Sequence, residues 1–99
     1  MLLAHARTLA QARSHLAALA DTSATIDAAI GYDRILLQID ALHDDDEIPA
    51  ITPVDEPDRD VLFTLAEAAI ENLTTHGIDA LSVELVLNEL HTARVLDRS

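Results

Sequence analysis

Apolar residues recur along this chain at helical spacing, and four segments carry the pattern. Over residues 2–20, Leu2, Ala6, Leu9, Ala10, Leu16, Ala17 and Ala20 gather on one side of a wheel turned 100° per residue, with Arg7, Gln11, Ser14 and His15 opposite. Asp21-Thr22-Ser23 then supplies a stop and a start, and Thr22 or Ser23 is expected to cap the next helix. A third helix is expected over 57–76. Its core side is Val61, Leu62, Leu65, Ala66, Ala68, Ala69, Ile70 and Leu73, and Asp55, Glu56, Asp58 and Asp60 lie near its positive end. His76-Gly77 ends it, with glycine as the left-handed residue. The fourth helix (80–97) starts near Asp79 or Ser82 and carries Val83, Val86, Leu87, Leu90 and Ala93, with Leu85 and Leu96 on a second, weaker stripe.

The second segment, 24–42, is apolar around most of its circumference. Ile26, Ile30, Leu37 and Ala41 form one arc, and Ala28, Tyr32, Ile35, Ile39 and Leu42 another; Asp27, Gly31, Arg34 and Gln38 leave a narrow polar strip. A helix so covered needs burial on two sides, more than three companions in a bundle normally supply. A self-association surface is therefore expected, assigned to Tyr32, Ile35, Ile39 and Leu42 together with Leu85 and Leu96, and a homodimer with it.

Residues 43–56 cannot continue the helix. The stretch from His43 to Pro57 holds all three prolines and a run of acids. Ile48, Ile51 and Val54, three apart, suit an extended strap laid against the bundle. At ~3.3 Å per residue such a strap can turn back at once or cross the full ~30 Å length of a helix. The expectation is one domain spanning 1–99, an all-α four-helix bundle, up-down and antiparallel, with alternation in chain order favoured over a crossover.

Composition supports this. Sixteen Leu, seventeen Ala, eight Ile and five Val face only one Phe and one Tyr, and Ala and Leu are strong helix formers. Six Arg and no Lys stand against twelve Asp and six Glu, a net charge of −12. Phosphates need cations opposite them, so direct nucleic-acid binding is not expected. High genomic GC content or a salt-adapted cytoplasm each accounts for such acidity without a function. No apolar run reaches the ~18 residues of a membrane span. Arg7 and Arg13 in an acid-free amphipathic segment would suit a transit peptide, yet the first helix of the bundle is the simpler reading, and a cytoplasmic location is expected.

Four charged or polar groups sit on apolar arcs: His5 and Arg13 in the first helix, Asp33 and Asp40 in the second. Folding one helix back on the other at residue 23 sets 13 beside 33 and 5 beside about 40. Arg13–Asp33 and His5–Asp40 are thus expected as interhelical pairs that set register, because such groups are costly when buried alone. Asn72 is expected as a satisfied polar group on the core side of the third helix.

Reactive constellations are weak. Asp40 and His43 are spaced i, i+3, but the second Glu-x-x-His copy of a di-iron bundle is missing, and Glu89 and His91 point to different sides. His43-Asp44-Asp45-Asp46-Glu47 lacks the glycine and ligand spacing of a calcium loop. Two glycines cannot build a phosphate-cradling loop. His5 and His15 lack the Lys and Gly that accompany a phosphorylatable histidine. No nucleophile elbow occurs. No metal or cofactor is expected. The leading expectation is a non-catalytic protein–protein interaction or regulatory module. An acidic antagonist of a basic partner, nucleic-acid mimic or antitoxin-like, is the second. A small helical enzyme or cation-binding protein using a pocket lined by His5, Arg13, Asp33 and Asp40 is the third.

Overall fold

The structure, a computed structural model, describes residues 2–43 and 47–97. It contains α1 (Leu3–Asp21), α2 (Ile26–Ala41), α3 (Arg59–Asn72, prolonged by a 3₁₀ turn, Leu73–His76) and α4 (Ala80–Asp97). No strand occurs among the described residues. The chain is an all-α four-helix bundle, as its periodicity requires.

Local chemistry sets the ends. Thr25, rather than Thr22 or Ser23, caps α2 by accepting from the Ala28 amide at 3.1 Å. Thr22 and Ser23 instead return their hydroxyls to Ala18 and Leu19 carbonyls of the last turn of α1. Asp58 caps α3, and Asp79 accepts from the Ser82 amide at the start of α4. Gly77 takes φ +92°, the left-handed conformation that ends the 3₁₀ turn.

The helices stand at the corners of a square. α1 packs on α2 and α3, α4 packs on the same two, and α1/α4 and α2/α3 are the diagonals. Every packed pair is antiparallel: Thr8 meets Asn72 while the Leu19 carbonyl meets Arg59, and Gln38 meets Glu89 while Thr25 meets Leu96. α3 consequently runs in the same direction as α2, and the strap is a crossover, so strict alternation in chain order gives way. The strap climbs the outer face of α1. The Thr52 amide donates to Ser14 Oγ at 3.1 Å, Arg13 Nη1 donates to the Pro49 carbonyl, and Ile48 and Val54 pack against the core. Ile51, expected to join them, points outward. This third layer of cover explains why Ser14, expected on a wet face, is buried.

The core comprises Leu9, Leu16 and Leu19 from α1, Tyr32, Ile35 and Ile39 from α2, Leu62, Phe63 and Ile70 from α3, and Val83, Val86 and Leu90 from α4. In α2 the two apolar arcs are exchanged relative to expectation. Tyr32, Ile35 and Ile39, assigned to a docking surface, are at most 1% exposed within the single chain, and Leu42 packs partly buried beside them. The arc of Ile26, Ile30 and Leu37 faces outward, at 79%, 50% and 69% exposure. Gly31 shows why this orientation is taken: a Cβ there would lie 3.1 Å from Ala93 Cβ, so α2 meets α4 through the one position lacking a side chain. In α3, Phe63 enters the core, while Val61, Leu65 and Ala68 lie outside it.

Candidate functional site

Three features stand out from the packed apolar core: a histidine cluster at one end of the bundle, an arginine clasp at the other, and the outer face of α2 and α4.

His5, His43 and His76 come together from α1, the residues just after α2, and the 3₁₀ turn. His5 Nε2 lies 2.9 Å from His43 Nε2, and the His5 ring stacks on His76 with centroids 5.0 Å apart. His43 is 1% exposed. Its Nδ1 lies 2.8 Å from the Ile39 carbonyl, which can only accept, so Nδ1 carries the hydrogen. In the neutral ring Nε2 then holds a lone pair, and His5 Nε2 donates to it. The Thr8 hydroxyl donates to the Ala4 carbonyl and so accepts from Asn72 Nδ2 and His76 Nε2. Among the described residues, no buried side-chain polar atom lacks a partner. Such closure makes the cluster a register-setting plug.

The expected pairs are redistributed. Arg13 bonds Asp40, not Asp33, through Nε to Oδ1 at 2.8 Å and Nη2 to Oδ2 at 3.2 Å. His5 meets His43 instead of Asp40. The late cap of α2 at Thr25 moves the α1–α2 register in this direction by two or three residues, the offset that brings His43 rather than Asp40 to His5; Asp40 lies a full heptad beyond Asp33 and is reached by the long Arg13 side chain. Asp33 lies exposed on the outside. The four groups therefore do not line one cavity. Asn72 is exposed at the rim, bridging Thr8 and Thr75. Asp40 and His43 serve different partners. So do Glu89, which accepts from Gln38, and His91, whose Nε2 lies 2.7 Å from Glu67. Among the described residues, no three His, Asp or Glu side chains gather to hold a metal ion. Asp44, Asp45 and Asp46 of the acidic run lie outside the described residues.

At the opposite end, Arg59 binds Asp97 through Nε at 2.9 Å and through Nη2, and also reaches Thr22 and the Leu19 carbonyl. Asp97 additionally accepts from the Ala24 amide, joining α1, α3, α4 and the α1–α2 turn. Arg94 lies 4.2 Å over the Phe63 ring and bonds Asp60. Burial raises the Tyr32 hydroxyl above its ordinary value of 10.0 and Asp97 adds to the rise, which Arg59 and Arg94 partly offset.

The outer face is different in kind. Ile26, Ile30 and Leu37 of α2 stand in solvent, as do Leu85 and Leu96 of α4, which are 57% and 38% exposed. A groove between the helices is lined by Asp27, Ile30, Gly31, Arg34, Glu89, Thr92, Ala93 and Leu96. A second, toward the other end, is lined by Gln38, Leu42, Leu85 and Glu89 among others. The second stripe of α4 is thus where its spacing placed it, whereas Tyr32, Ile35 and Ile39 of the expected surface belong to the core. The missed members, Ile26, Ile30 and Leu37, form the other arc of the same helix. The missed His43 falls between Tyr32 and Leu36 on the α2 wheel, a legible signal of burial. No helix among the described residues is long and apolar enough to cross a membrane. No family model, curated protein or solved structure matches this chain, and its function has to be read from its own residues.

Proposed function

We propose that this chain is a non-catalytic interaction module, cytoplasmic, that works by self-association through the outer face of α2 and α4. One observation carries this reading: α2 already fills the core with Tyr32, Ile35 and Ile39, yet still holds Ile26, Ile30 and Leu37 in water, with Ile30 sharing a groove with Leu96 of α4. Scattered exposed aliphatics are ordinary; three on one arc of a single helix make a stripe of the kind that partners cover. Engagement of the carboxylates weighs against the nucleic-acid-mimic alternative. Asp40, Asp60, Glu67 and Asp97 pair with basic side chains, while Asp58 and Asp79 cap helices, so these acids serve the fold.

Sedimentation equilibrium on the full chain from micromolar to millimolar concentration tests the proposal. The expected mass rises from 10.7 kDa to twice that value, and Leu37→Glu, on the exposed arc, lowers the dimer fraction while leaving far-UV circular dichroism unchanged. A constant 10.7 kDa across the range would overturn it.

A further inference from the structure

We infer that the occupant of the α2/α4 face is a second copy of this chain, docked antiparallel along α2 about a twofold axis passing between residues 30 and 31. The inference rests on the self-association reading and specifies its geometry. Around Ile30 the surface is complementary to itself. Asp27 lies one turn before this point and Arg34 one turn after it, both exposed and both lining the groove that holds Ile30, Gly31 and Leu96. Seven residues separate them, a rise of about 10 Å, so they stand two turns apart along the axis of their own helix. Neither has an ion-pair partner among the described residues.

A twofold at 30/31 places residue n of one helix at the height of residue 61 − n of the other. Asp27 then faces the second copy's Arg34, and Arg34 its Asp27. Ile30 meets Ile30 across the axis, and Ile26 comes beside Leu37 in both directions. The two ionic positions lie on the α4 side of the stripe, the flank that meets its own equivalent in an antiparallel helix pair. Asp33, on the far flank, falls opposite position 28 and meets no like charge. A twofold contact requires a patch that complements itself, and this one does so in charge and in apolar register together. A parallel twofold would set the α4 flank of one copy against the far flank of the other, so that Asp27 and Arg34 would not meet. The local matching also answers how two chains of charge −12 could meet: on either side of Ile30 an aspartate is met by one of the chain's six arginines.

Charge reversal tests the geometry on the full chain. Asp27→Arg sets cation against cation at both contacts, and Arg34→Asp sets anion against anion; each should raise the dimer dissociation constant at least ~100-fold. An equimolar mixture of the two variants restores both pairs and should form a heterodimer of near wild-type affinity, resolved by native mass spectrometry. Recovery on mixing also shows that both variants are folded, and the circular dichroism of each variant alone reports the same. Dimers of either single variant as tight as wild type would place the contact elsewhere, overturning this geometry while self-association stands. Folded monomeric variants that do not recover on mixing would overturn the pairing in the same way. A wild-type chain monomeric throughout the range would remove both proposals.

Discussion

Replacing Arg13 by Met keeps the aliphatic stem on α1 but withdraws three donated hydrogen bonds, two to Asp40 and one to the Pro49 carbonyl. The two side chains are 14% and 26% exposed, so Asp40 is left charged and only partly able to recover water. Breaking a fully buried pair costs about 3–5 kcal/mol; with a quarter of the carboxylate already wet, about 2–3 kcal/mol is expected here. For a 99-residue domain this lowers the melting temperature by about 10–20 °C. Replacing Asp40 by Leu as well removes the stranded charge, and the double variant should lie within about 1 kcal/mol of wild type. Asp33→Ala, by contrast, should change stability by less than about 0.5 kcal/mol, because Asp33 is exposed and outside the pair. Urea unfolding followed by circular dichroism, at one low chain concentration, measures the cycle. An Arg13→Met variant as stable as wild type, or a double variant as unstable as the sum of the singles, would refute the assignment of this half-buried pair as a register lock.

Tyr32 is the only tyrosine and there is no tryptophan, so tyrosinate absorbance reports this side chain alone. The unfolded chain releases its hydroxyl proton near the ordinary 10.0, while the folded chain holds it to higher pH. Between those values the unfolded state binds fewer protons, and Tyr32's contribution to stability, intact below pH 10.0, is lost as pH rises through the folded pKa. Ionisation at the ordinary pH in the folded protein would contradict this, and Tyr32→Phe should flatten the alkaline limb. In two-bond nitrogen–proton NMR spectra, His43 should appear as its Nδ1–H tautomer and His5 with hydrogen on Nε2; the reverse assignment would dissolve the hydrogen-bond order of the cluster. His43→Leu, which strands the His5 donor, should cost about 1–3 kcal/mol in the same urea assay.

Helix positions were legible from periodicity and short polar side chains, because these depend on residues a few positions apart. The orientation of α2 was not. Its two apolar arcs are nearly equal in hydrophobicity, and what selects between them is a contact between Gly31 and Ala93, residues whose proximity no local pattern displays. The identity of Arg13's partner failed for a related reason. Asp33 and Asp40 are one heptad apart and share an arc, so wheel position alone cannot choose between them. Burial of Ser14 came from the strap, whose path over α1 follows from Arg13 and Thr52 contacts rather than from any periodicity of its own. The outward second stripe of α4 and the excess apolar cover of α2 are both visible in the sequence, but the spacing does not say which arc of α2 faces outward.

The crossover has a consequence for how this molecule comes together. Its two helical hairpins, α1–α2 and α3–α4, each close through a short turn, yet the most extensive helix contacts join α1 to α3 and α2 to α4. Neither half owns a finished interior. Local helix growth therefore cannot be rewarded until distant parts of the polypeptide have met, with the loop entropy of the whole strap already spent. The bundle should assemble more slowly than its helix content alone would suggest, and in a single cooperative step.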